Sequence, residues 1–544
     1  MKTFHAVDYN IKPGCEITVA LCELIEKIAG TDGEKSVCFE KGTYYIDSEK
    51  CKKYMLYITN TVGDNEFSVD ETPHLNAVPL YFNGMDNLTF DGNGSVFVID
   101  GKVTNVAVEK CRNITLKNME IRYAHPDMHE MKVVRVAPFF VDFQIDGDTQ
   151  FKFSDNKLYF YGKDYCAPAD KDAANAHWIG LIRKNTPNKV KRVSHPLAGV
   201  LKISRLKKNI IRAYFLNTLR FKTADCFYIY DVRRQFAGIF INESENIVLQ
   251  NIKQRFNYSL ALVLQDCKNV DVNSVQFSPE KNSARKLASV ADFIQVCMCR
   301  GKISITNSLF EGAGDDCINV HGVHFKMQSV NGNKIIVRFM HNQSHGYLPI
   351  HTGDEIAFIN PDTLLQEGKT VVKDARLLNE YEIELTLDSA RNAAVGHVVE
   401  DITACPEVYF ADNTVNRIIT RGCLFTTRGK VVVENNRFIS NSMSGILLSD
   451  DAKSWYESGM CRDVTIRNNI FDYCGKTPIL IKPENKIHGG AVHKNIRIIH
   501  NVFKKYRGFC VYAKSSDNIV LKDNVYHSQK HIKTVNCSNV QEIE

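Results

Sequence analysis

Residues 463–471 read DVTIRNNIF. Val464 and Ile466 alternate with polar neighbours, two asparagines follow, and an apolar pair closes the unit. Alternation of period two over so short a run reads as a strand with one buried face. The asparagines read as the turn that ends it. The same nine-residue form returns as NITLKNMEI from Asn113, NIVLQNIKQ from Asn246, NVDVNSVQF from Asn269 and KISITNSLF from Lys302. Further on come KVVVENNRF from Lys430, NIRIIHNVF from Asn495 and NIVLKDNVY from Asn518, with a weaker copy, NLTFDGNGS, from Asn87. A single unit cannot bury its apolar residues, but a stack of units can. Strands that repeat every ~20–30 residues, with no helical pattern between them, point to a right-handed parallel β-helix.

A second strand lies between each of these units, as in SLALVLQD (259–266), ADFIQVCM (291–298), DDCINVHG (315–322), GCLFTTRG (422–429) and SGILLSDD (444–451). These segments align at their apolar centres and predict a second parallel sheet. Asn307, Asn435 and Asn468 share one register, as do Asn118 and Asn251. They are expected to form ladders of side-chain amides at the turns.

Two stretches break the repeat. Residues 126–235 and 323–416 alternate in antiparallel style around turn signals such as DGD, SDNK and NGN. Each is read as an inserted β-barrel. CEITVALCELIEKIAG, from Cys15, is amphipathic and is expected to cap the open end of the solenoid. KGTYYI at 41–46 is expected to be the first strand. The fold class expected is therefore all-β, a right-handed parallel β-helix with two inserted antiparallel β-barrel domains and a short N-terminal capping helix. Its parts are the cap and first coils (1–125), barrel 1 (126–235), the central coils (236–322), barrel 2 (323–416) and the C-terminal coils (417–544).

The 544 residues are 44% apolar and 24% charged, which is globular composition and excludes a disordered chain. Sixty-eight Lys and Arg against 62 Asp and Glu leave an excess too small to indicate a nucleic-acid binder. No apolar run is long enough to span a membrane, and no membrane partner is expected. The basic run NTPNKVKRVSH (185–195) reads as a solvated loop. Seventeen scattered cysteines, an odd number, fit reduced thiols better than a disulfide framework. MKTFHAVDYNIKPG lacks the apolar core of a secretory signal, so a cytoplasmic location is the expectation, with a secreted or periplasmic one the alternative if a native leader has been removed. A homodimer is a further expectation.

EGAGDDCINVHG (311–322) carries the strongest chemical signal. Aligning Phe293-Ile294-Gln295-Val296 with Cys317-Ile318-Asn319-Val320 puts Asp292 on Asp316. Adjacent strands lie about 4.8 Å apart, so Asp292, Asp315 and Asp316 would share one patch. Adjacent strand residues face opposite ways, and Gly314 is read as loosening the turn so that both acids reach one cleft. Clustered carboxylates raise at least one pKa, which suits a proton donor beside a pair that activates water. Around them, Trp455 and Glu457 in the polar loop DDAKSWYESG (450–459) are candidates for sugar contact or for anchoring the loop. Arg428 is a candidate for the same cleft or for a salt bridge at the strand end. Asn319 and His321 either face the ligand or satisfy the coil interior.

The Gly-Asp-Asp-Cys-Ile run, with an Asp stacked one coil before it, resembles the polygalacturonase clan, glycoside hydrolase family 28. A closer resemblance is to glycoside hydrolase family 110, the α-1,3-galactosidases. It rests on residues 87–121, 291–322, 421–438 and 444–471 together with the two insertions. The resemblance implies an inverting exo-glycosidase that removes terminal α-1,3-linked galactose from a glycan, with no metal and no cofactor. In that reading Asp315 is the general acid, and Asp292 and Asp316 position and deprotonate the water. The alternatives are a polygalacturonase-like hydrolase, a β-helix polysaccharide lyase with calcium on the carboxylates, and a carbohydrate-binding solenoid without activity.

Overall fold

The structure is a computed structural model that describes residues 1–543 except 62–73, 148, 156, 169–175, 182–189, 194, 232–233, 282, 284 and 529–530. Among the described residues it is a right-handed parallel β-helix interrupted by two antiparallel insertions. The nine-residue units stack in the register their apolar positions predict. One column runs through Leu88, Ile114, Ile247, Val270 and Ile303. It continues through Val408, Val431, Val464, Ile496 and Ile519. All are buried. A slip of one residue would turn this whole set to solvent, which is why the pattern fixes the register so firmly. Beside it, Phe438, Phe471, Phe503 and Tyr526 stack ring on ring, with centroids 5.0, 5.2 and 5.3 Å apart.

The amide ladders are present, with a shift of one residue at one of them. Asn246 donates to Asn113, and Asn251 to Asn118, at 3.1 and 3.0 Å. These four take the left-handed conformation, and so do Asn307, Asn435 and Asn468, with φ of 55°, 59° and 58°. Asparagine tolerates that region better than most residues. The buried ladder uses the residue after each turn: Asn413, Asn436, Asn469 and Asn501 hand amide to carbonyl from coil to coil.

Thr18–Ala29 is the one α-helix among the described residues, and it buries Leu21, Leu24, Ile25 and Ile28 against the first coils. Thr43–Asp47 is not the first strand. Lys2–His5 pairs with Lys35–Cys38, which pairs in turn with the coil strand Asp86–Asp100. Lys2–His5 buries only Phe4 and so shows no alternation to read. All 17 thiols are free, and Cys267, Cys297, Cys317 and Cys423 are fully buried.

In the first insertion a seven-stranded antiparallel sheet and a three-stranded sheet share one apolar core that includes Val133, Phe143, Phe160, Ile211 and Phe227. Most of the basic run at 185–195 lies outside the described residues. The second insertion is a closed barrel of six strands. Ile318–Asn331 pairs with Lys334–Arg338, and the ring closes through Glu382–Leu387, Leu365–Leu377, Glu355–Asn360 and Val398–Asp401. Ile318–Asn331 begins as a coil strand, paired on one side with Ile294–Cys297 and on the other with Cys423–Thr426. It then leaves the solenoid and becomes a wall of the barrel. The coil resumes at Glu407–Ala411, which pairs with Arg300–Thr306.

Candidate active site

Ile294 pairs with Ile318 and Gln295 with Asn319, so Asp292 lies one coil behind Asp316 in the same column. The Asp316 N–H donates to Asp292 Oδ1 at 2.9 Å. Gly314 makes the turn possible by close approach: a Cβ there would meet Val290 O at 2.1 Å. The three carboxylates converge. Asp315 is the most open, with 17% of its side chain exposed against 1% for Asp316.

Two guanidiniums face the cluster. Arg421 stands one coil beyond Asp316, in the same column. Its Nε donates to both carboxylate oxygens of Asp316, its Nη2 lies 2.7 Å from Oδ2, and its backbone N–H donates to Oδ1. The Thr420 hydroxyl donates to the same Oδ1. Arg234, which follows the last strand of the first insertion, donates to Asp315 Oδ2 at 2.6 Å and to Asn60 Oδ1 at 3.1 Å. The Asn60 amide in turn lies 3.5 Å from Asp292 Oδ2. Burial, and after it the charges of Asp315 and Asp316, pushes the Asp292 carboxyl well above its ordinary range, and Arg234 opposes the shift. Burial disfavours the charge on Arg421, but Asp316 outweighs it and holds the guanidinium protonated.

Gln295, Asn319 and His321 extend this floor. The Gln295 amide meets His321 Nε2 at 2.5 Å, and His321 Nδ1 donates to Gly322 O at 2.7 Å. Asn319 donates to Glu457 Oε1 at 2.8 Å, and the same oxygen lies 3.7 Å from His321 Nε2. Glu457 is brought here because Gly322 and Val323 pair with Ser458 and Glu457. Trp455, half exposed, stacks on His341 of the second insertion with centroids 4.5 Å apart. Burial, with Arg234 and His321 nearby, pushes His341 down to about 4, so the ring is neutral near pH 7.

Arg428 is elsewhere. It forms a salt bridge with buried Glu400, at 2.6 Å, and donates to Gln366. It belongs to a charge network under the 450–459 loop, where His324 Nε2 meets Asp450 Oδ1 at 2.7 Å with both side chains fully buried. The His324 N–H donates to Tyr456 O at 2.8 Å. Among the described residues no cluster of His, Cys, Asp and Glu has the arrangement of a metal site.

A family model described as GLAA-B beta-barrel domain II matches residues 334–397. Another, for a right handed beta helix region, matches 396–525. Alpha-1,3-galactosidase A of Bacteroides thetaiotaomicron is 34% identical over 532 residues, spanning 95% of this chain and 92% of that protein. The chain belongs to the α-1,3-galactosidase family of glycoside hydrolases. Alpha-1,3-galactosidase B of Phocaeicola vulgatus is 28% identical and spans 98% of this chain and 91% of its own. Alpha-1,3-galactosidase A of Bacteroides fragilis is 31% identical over 526 residues.

For an α-1,3-galactosidase family member, the sequence reading left out Asn60, Arg234, His341, Thr420 and Arg421. Arg421 had a signal, because extending the column from Asp292 through Asp316 by one coil ends on it. Asn60, Arg234 and His341 had none, because they come from segments outside the repeat whose approach to the cleft is set by tertiary packing.

Proposed function

We propose that this protein hydrolyses terminal α-1,3-linked galactose from oligosaccharides or glycoconjugates, with inversion at the anomeric carbon. The observation that carries the reading is the convergence of Asp292, Asp315 and Asp316 between Arg234 and Arg421. Asp315, the most exposed of the three, gives its proton to the glycosidic oxygen as the bond to the anomeric carbon breaks. Asp292 and Asp316 hold a water on the opposite face of the sugar and take its proton as it attacks. Inverting enzymes keep acid and base roughly 6.5–9.5 Å apart to leave room for that water. Asp316, fixed by Arg421 and Thr420, orients the water. The proton that burial favours on Asp292 in the resting enzyme resides on Asp315 in the reacting complex, which leaves Asp292 ionised and, with its raised proton affinity, the stronger base of the pair.

The substrate is neutral in this reading. A uronic acid would call for a free cationic clamp, and both guanidiniums at the cluster are already held by its carboxylates. Trp455 offers an aromatic face, and Glu457, Asn319 and His321 supply polar groups for the hydroxyls of galactose.

The test is hydrolysis of Galα1-3Gal by the wild type, with and without chelator, and by Asp315→Asn. Expected are galactose release that chelator does not touch, a loss on the order of 10²–10⁴-fold in the variant, and β-galactose as the first anomer in proton NMR. No release by the wild type overturns the reading. Initial α-galactose overturns inversion, and a fully active Asp315→Asn overturns the acid assignment.

A further inference from the structure

We propose that the outer tip of the first insertion docks this protein onto an anionic lipid surface. The first observation is charge. Residues 182–222 hold 12 Lys and Arg and no Asp or Glu. Outside that stretch the chain carries 56 Lys and Arg against 62 Asp and Glu, so the remainder is net acidic. The first insertion as a whole, residues 126–235, carries 20 Lys and Arg against 11 Asp and Glu, and the rest of the chain 48 against 51, so the small excess of the whole chain belongs to a basic lobe on a nearly neutral body.

The second observation is where apolar side chains sit on that lobe. The turn at Pro138–Phe139 links strands His129–Ala137 and Phe140–Ile145, and the segment from Phe215 follows strand Ile210–Tyr214 at the same end of the sheet. The Phe215 N–H donates to Phe139 O at 2.9 Å, and the Thr218 hydroxyl to Ala137 O at 2.6 Å. On this laced tip Phe139, Leu216 and Leu219 are 66%, 77% and 90% exposed. Arg135, Lys202, Arg220 and Lys222 are exposed around them. Arg220 donates to Pro196 O at 2.8 Å and lies over the rings of Phe215 and Phe221. The backbone is thus held while the three large side chains point to solvent.

Single exposed leucines are ordinary. Three large apolar side chains on one projecting tip inside a cationic ring are the pattern of interfacial docking, in which apolar groups enter the acyl boundary and Lys and Arg meet the headgroups. The other occupants fit less well. A second copy would bring one cationic ring against another. An acidic polysaccharide would meet the charge but leave Leu216 and Leu219 in water. An anionic bilayer takes both the apolar side chains and the cations around them. The docking proposed is at the membrane surface; no helix among the described residues is long and apolar enough to cross a membrane. Composition alone gave no reason to expect a membrane partner; the placement of these residues does.

The experiment is co-sedimentation of the full chain with vesicles of phosphatidylcholine alone and of equimolar phosphatidylcholine and phosphatidylglycerol. Expected is at least ~tenfold more protein on the anionic vesicles, falling as salt is raised. The double variant Leu216→Ser/Leu219→Ser is expected to lose binding by about tenfold with unchanged thermal unfolding. Lys202→Glu/Lys222→Glu is expected to do the same. No binding to anionic vesicles at low salt overturns the proposal. So does a leucine variant that binds like the wild type, which would leave only charge. Retention on heparin without vesicle binding assigns the surface to an acidic polysaccharide. A dimer that the leucine changes dissolve, without vesicle binding, assigns it to a second copy; either result overturns the lipid assignment.

Discussion

Arg421 closes on Asp316 from one coil further along the solenoid, its Nε 2.8 and 2.9 Å from the two carboxylate oxygens. The column Asp292, Asp316, Arg421 thus runs acid, acid, base along the axis, and the guanidinium pairs with the buried Asp316 carboxylate at 2.7 Å.

Removing that guanidinium leaves a buried carboxylate without its counter-charge. Arg421→Ala is expected to destabilise the fold by about 3 kcal/mol, read from urea unfolding, and to abolish hydrolysis. Arg421→Lys keeps the charge but loses the planar fork. It is expected to recover part of the stability while kcat stays at least ~tenfold down. A lysine variant with wild-type kcat would show that charge alone suffices.

The raised proton affinity of Asp292 makes stability depend on pH. The folded state holds this proton where the unfolded chain, with an ordinary value of 3.8, has lost it. The contribution is therefore full below 3.8 and is lost as pH rises through the raised folded value. Asp292→Asn removes the titration. It is expected to be inactive yet more stable than the wild type near pH 8, with the two converging toward pH 4. A constant stability difference across that range would contradict the assignment.

The His324 side chain meets Asp450 at the root of the loop that carries Trp455 and Glu457, while its backbone N–H donates to Tyr456 O whatever the side chain. His324→Gln is expected to raise KM for Galα1-3Gal by about tenfold while kcat stays within about threefold, because the loop shifts and the acids do not. Its unfolding is expected to move by ~2 kcal/mol, since Asp450 loses its buried partner. If kcat falls and KM stays fixed, the loop does not bind substrate.

Asn469 donates to Val433 O at 2.9 Å and to Asn501 Oδ1 at 3.0 Å, and accepts from the Asn436 N–H at 2.9 Å. Asn469→Ala strands each of these groups in the coil interior. The expected cost is about 2–3 kcal/mol in urea unfolding, with KM unchanged because the ladder lies apart from the acids.

The features legible in the sequence were those set by period. Apolar alternation fixes the register of stacked strands, so the placement of Asp292 behind Asp316 followed from counting. The ladder at Asn436 and Asn469 lies one residue past the expected position because both asparagines of each pair fit a turn, and burial of the second side chain in the coil interior decides which one bonds. Arg428 and Arg421 belong to one segment, but they stand seven positions apart, an odd offset, so a regular strand sends them to opposite faces. Arg234, Asn60 and His341 reach the cleft from the insertions and the N-terminal segment, and no local pattern encodes where such segments fold back.

The strand Ile318–Asn331 carries Asn319 and His321 on the solenoid floor and then becomes a wall of the second barrel. The barrel is therefore not a detachable module. Excising it, or grafting it from a relative, would cut the strand that carries the floor of the cleft. Solenoid and barrel must be inherited, exchanged and engineered as one piece, with crossovers placed before Asp292 or after Glu457.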